Sequence, residues 1–194
     1  MVMTGQFLER PALVDAEGVV LEALYHRGSR RPALLVCPPL GAGGMDAPAV
    51  AELAWAAARA GHPSLRFQHR GIGASQGTPD PARALDDAVA ALRHLTETVG
   101  GSIALAGVGS GCETALALAE ARPELARLVL VAPERALRAR AGARLLVLVP
   151  EHDARVSAED CEGARLEQVP EADALFGTGL PALGRRAVEW IGRG

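Results

Sequence analysis

The stretch LAGVGSGCETALALA, residues 105–119, passes from strand-forming to helix-forming residues across three glycines, Gly107, Gly109 and Gly111. Its apolar start belongs to a buried strand predicted over Ser102–Ala106. Its Ala- and Leu-rich end predicts a helix from near Gly111 to Ala121, stopped before Pro123. A strand that turns this abruptly into a helix is the unit from which a parallel sheet covered by helices is built.

The same alternation extends in both directions. Upstream, PALLVCPPLGAGG gives a strand at Ala33–Cys37 running into a Pro- and Gly-rich loop with exposed N–H groups. A helix over Pro48–Ala60 stops at Gly61. PSLRFQHRGIGASQG then gives a strand at Ser64–Phe67 and a glycine-rich loop. Asp80 caps a helix of about Pro81–Thr98, with Leu85, Ala88, Val89 and Leu92 on one face. Downstream, ARLVLVAP and ARLLVLVPEHD are apolar on both faces, as central parallel strands are. ARLEQVP makes a last strand, and PALGRRAVEWI a closing helix with Leu183, Ala187, Val188 and Ile191 together. At the start, QFLERPALV and VVLEALYHR, divided by DAEG, read as an antiparallel pair at one edge. The prediction is one α/β domain over residues 1–194: a mostly parallel, twisted sheet of roughly eight strands with helices on both faces. Only about ten residues, ERALRARAGA, join the two central strands, which leaves no room for a lid domain there.

Composition narrows the function classes. The 194 residues are 49% hydrophobic and 22% charged with a net charge of -3, so neither a basic face for nucleic acid nor an acidic tail is expected. Aromatics at 3% offer little for base stacking. Cys37, Cys112 and Cys161 are far apart and odd in number, which argues against a disulfide framework or a zinc site and for a reducing cytoplasm. The N-terminal stretch MVMTGQFLERPALVDAEG is broken by charges and Pro before it reaches signal-peptide length, and no run approaches about 18 apolar residues. A small molecule or a protein partner is expected, with no metal, cofactor or membrane; self-association into a homo-oligomer is a further expectation.

Five segments together resemble the α/β-hydrolase superfamily, and within it the small lidless serine hydrolases of the dienelactone-hydrolase and short acyl-peptidase type. VCPPLGAGGMDAP resembles the family's oxyanion-side loop, which implies a pocket role for Leu40 and Gly41. GHPSLRFQHRGIGASQG resembles its RF-x-x-RG-x-G-x-S-x-G segment, with Arg66, Phe67, Arg70, Gly71, Gly73, Ser75 and Gly77 in register. The opening stretch resembles the G-x-S-x-G elbow, in which a sharp strand-to-helix turn lifts a serine above the sheet. The framing glycines align at Gly107 and Gly111, and the nucleophile position holds Gly109. LLVLVPEHDARV resembles the acid-bearing loop and places Asp153 at the carboxylate position, while QVPEADALF resembles the histidine segment with Ala174 where the histidine would stand.

The resemblance implies a hydrolase scaffold without an attacking group or a base at the aligned positions, acting by binding. The rival expectation is an ester or thioester hydrolase that uses a displaced nucleophile, Ser110 or Cys112, with His152 and Asp153. In the bland readings Cys112 and Cys37 are buried packing residues, His152 and His69 are exposed loop residues, and RGIGASQG is structural, with Arg70 bonding carbonyls or a carboxylate. A third expectation makes the fold a subunit of a larger assembly.

Overall fold

The computed structural model describes residues 9–41, 43–125, 127–138, 144–152, 154–157 and 159–193. Strands β1 (Arg10–Ala16) and β2 (Val19–His26) form the expected antiparallel hairpin, closed at Ala16 opposite Val19. The chain continues through β3 (Ala33–Cys37), α1 (Pro48–Arg59), β4 (Ser64–Phe67), α2 (Ala84–Val99), β5 (Ile103–Val108) and α3 (Gly111–Ala121). It ends with β6 (Arg127–Val131), β7 (Leu137–Arg138), β8 (Arg144–Pro150), β9 (Cys161–Glu162), β10 (Arg165–Val169) and α4 (Leu180–Ile191).

Eight strands form one sheet in the order β1-β2-β4-β3-β5-β6-β8-β10, parallel from β4 to β10 and antiparallel at the hairpin edge. Strand residues alternate between two cores, as a period of two requires. Leu35, Cys37, Ile103 and Leu105 join Ala88, Leu95, Ala115 and Leu118 under α2 and α3. Leu34, Val36, Ala104 and Ala106 join Val50, Leu53, Leu183 and Ile191 under α1 and α4. Helices therefore cover both faces. Among the described residues no lid domain is inserted, and no helix is long and apolar enough to cross a membrane.

From β3 the chain passes to β4 on one side, and β5 then returns to the other, so the strand order reverses beside the carboxyl ends of β3 and β5. In open α/β sheets a ligand crevice forms at such a reversal.

Several expectations need correction. Asp80 does cap, accepting the Ala82 N–H at 3.0 Å, but it caps a short 3-10 turn at Pro81–Arg83 before α2 begins. β5 runs two residues beyond the expected end, into the glycine turn. A two-residue parallel pair, β7 with β9, lies apart from the main sheet. His69 is not an exposed loop residue: it is 2% exposed, edge-on to Phe67 and 3.4 Å from the carboxylate of Asp87, itself fully buried on α2. Arg70 supplies the contact expected of it. Its backbone N–H, Nε and Nη2 all donate to that carboxylate, at 3.1, 2.8 and 2.6 Å. Burial pushes the Asp87 carboxyl up, yet the donors on His69 and Arg70 outweigh it and hold the group below its ordinary value.

Candidate active-site elbow and cavity

Close packing dictates the glycines around the β5–α3 turn. A Cβ at Gly111 would lie 2.4 Å from the Cys37 carbonyl oxygen and 2.5 Å from that of Pro38. One at Gly107 would lie 2.6 Å from the Gly111 carbonyl oxygen and 2.7 Å from the Cys112 Cα. Between them, Gly109 takes the left-handed conformation, φ +56°. Its N–H donates to the Val131 carbonyl at 2.9 Å and its carbonyl accepts from Cys112, so the apex is held on both sides. The sharp turn thus has its apex at residue 109, and Ser110 is already helical at φ -63° and ψ -21°.

A cavity of about 590 Å³ opens over this apex. Gly41, Gly109, Ser110 and Ala174 all line it, with Pro39, Pro133 and Phe176 supplying apolar wall. Ala174 reaches it on a tight loop pinned by Asp173, whose Oδ1 accepts the N–H groups of Leu175 at 3.0 Å and Gly177 at 2.9 Å. The Gly177 N–H, with those of its neighbours, holds the Asp173 carboxyl below its ordinary value. Phe176, 1% exposed, anchors the loop in the core. Opposite, the wall at Asp46–Pro48 is fixed by Arg66, which donates to the Met45 carbonyl at 2.6 Å and Asp46 Oδ1 at 3.0 Å while bonding both oxygens of Glu9.

The remaining sequence-predicted residues lie as follows. Leu40 gives its backbone N–H to the Ser110 hydroxyl oxygen at 3.0 Å. Cys112 is 1% exposed; its thiol donates to the Gly107 and Val131 carbonyls at 3.3 and 3.4 Å, and burial pushes its pKa up. Cys37 is fully buried and its thiol is pushed up to about 12 by desolvation. Both are the packing cysteines of the bland reading, since a thiol that stays protonated and covered is a poor nucleophile. His152 is exposed, donates its N–H to the Ala172 carbonyl at 3.2 Å, and is not among the residues lining the cavity. Asp153 lies outside the described residues.

Three charged groups of the cavity were not among the site residues expected from the sequence: Asp46 and Arg155, which lie inside two of the segments that carry the resemblance, and Glu134, which lies outside them all. Glu134 stands nearest the apex, its Oε1 3.5 Å from where a Cβ at residue 109 would sit. The available signal was its place just beyond the carboxyl end of a central strand, where α/β sheets bind ligands.

The sheet order, the glycine elbow and the cavity above it define the α/β-hydrolase fold. An α/β serine hydrolase homologue from Coxiella burnetii superposes with a TM-score of 0.78 at 22% identity, over 97% of this chain and 98% of that one. A lidless α/β serine hydrolase from Xanthomonas campestris gives 0.75 at 21% identity, over 96% of each chain. An Agrobacterium tumefaciens protein of unknown function gives 0.76 at 22% identity, over 94% of each. No family model and no curated protein matches the sequence.

Proposed function

We propose that this protein is a non-catalytic version of the α/β-hydrolase scaffold and acts by binding a small molecule in the cavity over Gly109. The observation that carries the reading is the left-handed apex at Gly109, which shares its cavity with Ala174. Acyl transfer needs a nucleophile within about 3 to 3.5 Å of the carbonyl and a base to take its proton. Neither residue brings a side chain capable of either task. A volume of about 590 Å³ falls within the range of small-molecule sites, roughly 300 to 1,000 Å³.

The rival, an ester or thioester hydrolase with Ser110 or Cys112 as nucleophile, draws little support from the geometry. The Ser110 hydroxyl is tied to the Leu40 N–H, Cys112 is enclosed, and His152 is not part of the cavity wall. A panel of short p-nitrophenyl esters and thioesters separates the two. The binding reading expects hydrolysis no faster than buffer; turnover abolished by Ser110→Ala or Cys112→Ala would establish the rival.

A further inference from the structure

The cavity has an uneven distribution of charge over a mostly apolar wall. Glu134 follows β6 through Ala132, whose φ of +47° turns the chain out of the strand and over the elbow. Among the described residues its carboxylate makes no hydrogen bond and no ion pair, although it hangs 3.5 Å from the Cβ position of residue 109. Asp46, the second carboxylate of the lining, is engaged by Arg66 at 3.0 Å. Arg155 is the single cation among the described lining residues and comes within 4 Å of neither carboxylate.

Two features of this site would attract an anion, Arg155 in the lining and the start of α3, and at the apex Glu134 already stands beside the second. A second anion at the apex meets repulsion from that carboxylate. The Leu40 N–H, a donor that could offset this, is bonded to the Ser110 hydroxyl oxygen. A cation meets the opposite: an uncommitted carboxylate facing a cavity walled by Pro39, Pro133, Val108 and Phe176.

We propose that the cavity takes a small amphiphile with a protonated primary amine, the ammonium seated against Glu134 over Gly109 and the apolar body along Pro133 and Phe176. This rests on the small-molecule reading above and names the chemistry of its ligand.

The test is a titration of the full chain with three matched six-carbon probes, n-hexylammonium, 1-hexanol and hexanoate, at pH 7 and low salt. Binding is read from amide chemical shifts around Gly109 and Ala174. Hexylammonium is expected to bind about fivefold more tightly than hexanol, the scale of one partly exposed ion pair, with hexanoate weakest and the preference shrinking in salt. Glu134→Gln, at an exposed position, should bring hexylammonium down to the level of hexanol. Ala174→Trp, which fills the cavity, should remove binding of all three. Equal binding of the three probes, or a preference that survives Glu134→Gln, overturns the ammonium proposal and leaves the small-molecule reading standing. Amides unmoved by any probe at millimolar concentration overturn both.

Discussion

The hydroxyl oxygen of Ser110 accepts the backbone N–H of Leu40 at 3.0 Å, joining the loop after β3 to the first turn of α3 across the mouth of the elbow. In an acting hydrolase of this fold, an N–H from that loop would face the developing oxyanion. Here it is spent on a side chain. Ser110→Ala should therefore cost about 1 kcal/mol of stability, the scale of one partly buried hydrogen bond, and leave ester hydrolysis at the buffer rate. Chemical denaturation with a parallel esterase assay measures both; a stable variant with altered hydrolysis would assign Ser110 a chemical role.

The framing glycines should tolerate no side chain. A Cβ at either Gly107 or Gly111 meets backbone atoms closer than 2.8 Å, which neighbours cannot relieve by rotating a side chain. Gly107→Ala and Gly111→Ala are each expected to cost about 3 kcal/mol, measured as a fall in denaturation midpoint. Gly109→Ala differs in mechanism. Its Cβ would have ordinary room, with Glu134 at 3.5 Å and Pro39 at 3.6 Å, and only the left-handed φ opposes it, at about 1 to 2 kcal/mol.

Placing reactive side chains at the apex and on the loop that shares its cavity should create chemistry. Gly109→Ser together with Ala174→His places a hydroxyl and an imidazole in one cavity, with Asp153 as the aligned acid. Esterase activity above buffer is expected from the double variant and from neither single one. Adding Glu134→Gln should raise it further, because a carboxylate beside the new serine disfavours an anionic intermediate. A folded but inert double variant would mean that residues 109 and 174 do not occupy the nucleophile and base positions.

Asp87 should be the most sensitive charged position. It is fully buried, and its removal strands the Arg70 guanidinium and the His69 imidazole beside Phe67. Asp87→Ala is expected to cost about 3 kcal/mol, and Asp87→Asn somewhat less. Retention of wild-type stability by either variant would show the cluster to be dispensable.

Stability should fall in two stages on acidification. Burial lowers the pKa of His26, against the pull of Glu9, and that of His62, against its bond to the Pro32 carbonyl. With folded values below the unfolded 6.5, the unfolded chain takes up protons first, so stability declines as pH drops below that value. Glu9 and Asp87 have folded pKa values below their ordinary 4.5 and 3.8. For Glu9 burial opposes the shift, and the bond and charge of Arg66 outweigh it. Their contribution is complete above those values and is lost as pH falls through the folded pKa. Tm against pH should show both declines; a flat profile down to pH 5 contradicts the first.

What could be read in advance follows from the range over which each signal acts. The strands Ala33–Cys37 and Ser64–Phe67 and the helix Gly111–Ala121 carry their own boundaries in apolar runs, Pro and Gly, and the structure has them at those residues. The β7–β9 pair has two residues a side, too few for any periodicity to show. The burial of His69 depends on Asp87, eighteen residues away on another element, and a polar residue on an apolar helix face reads locally as an interruption. Glu134, Asp46 and Arg155 come from three separate segments and share a cavity only through the folded sheet, which no local pattern reports. The sharp turn framed by Gly107 and Gly111 was legible in the glycine spacing; the use of Leu40 as donor to Ser110 was not, since it joins residues seventy positions apart.

The most direct measurement is the intact mass of the native protein after treatment with a fluorophosphonate and, separately, with iodoacetamide under folding conditions. An apex without a nucleophile, a serine tied to Leu40 and a cysteine enclosed in the elbow lead to an unchanged mass in both. A single adduct on Ser110 or Cys112, lost when that residue is substituted, would contradict the non-catalytic reading and identify the nucleophile.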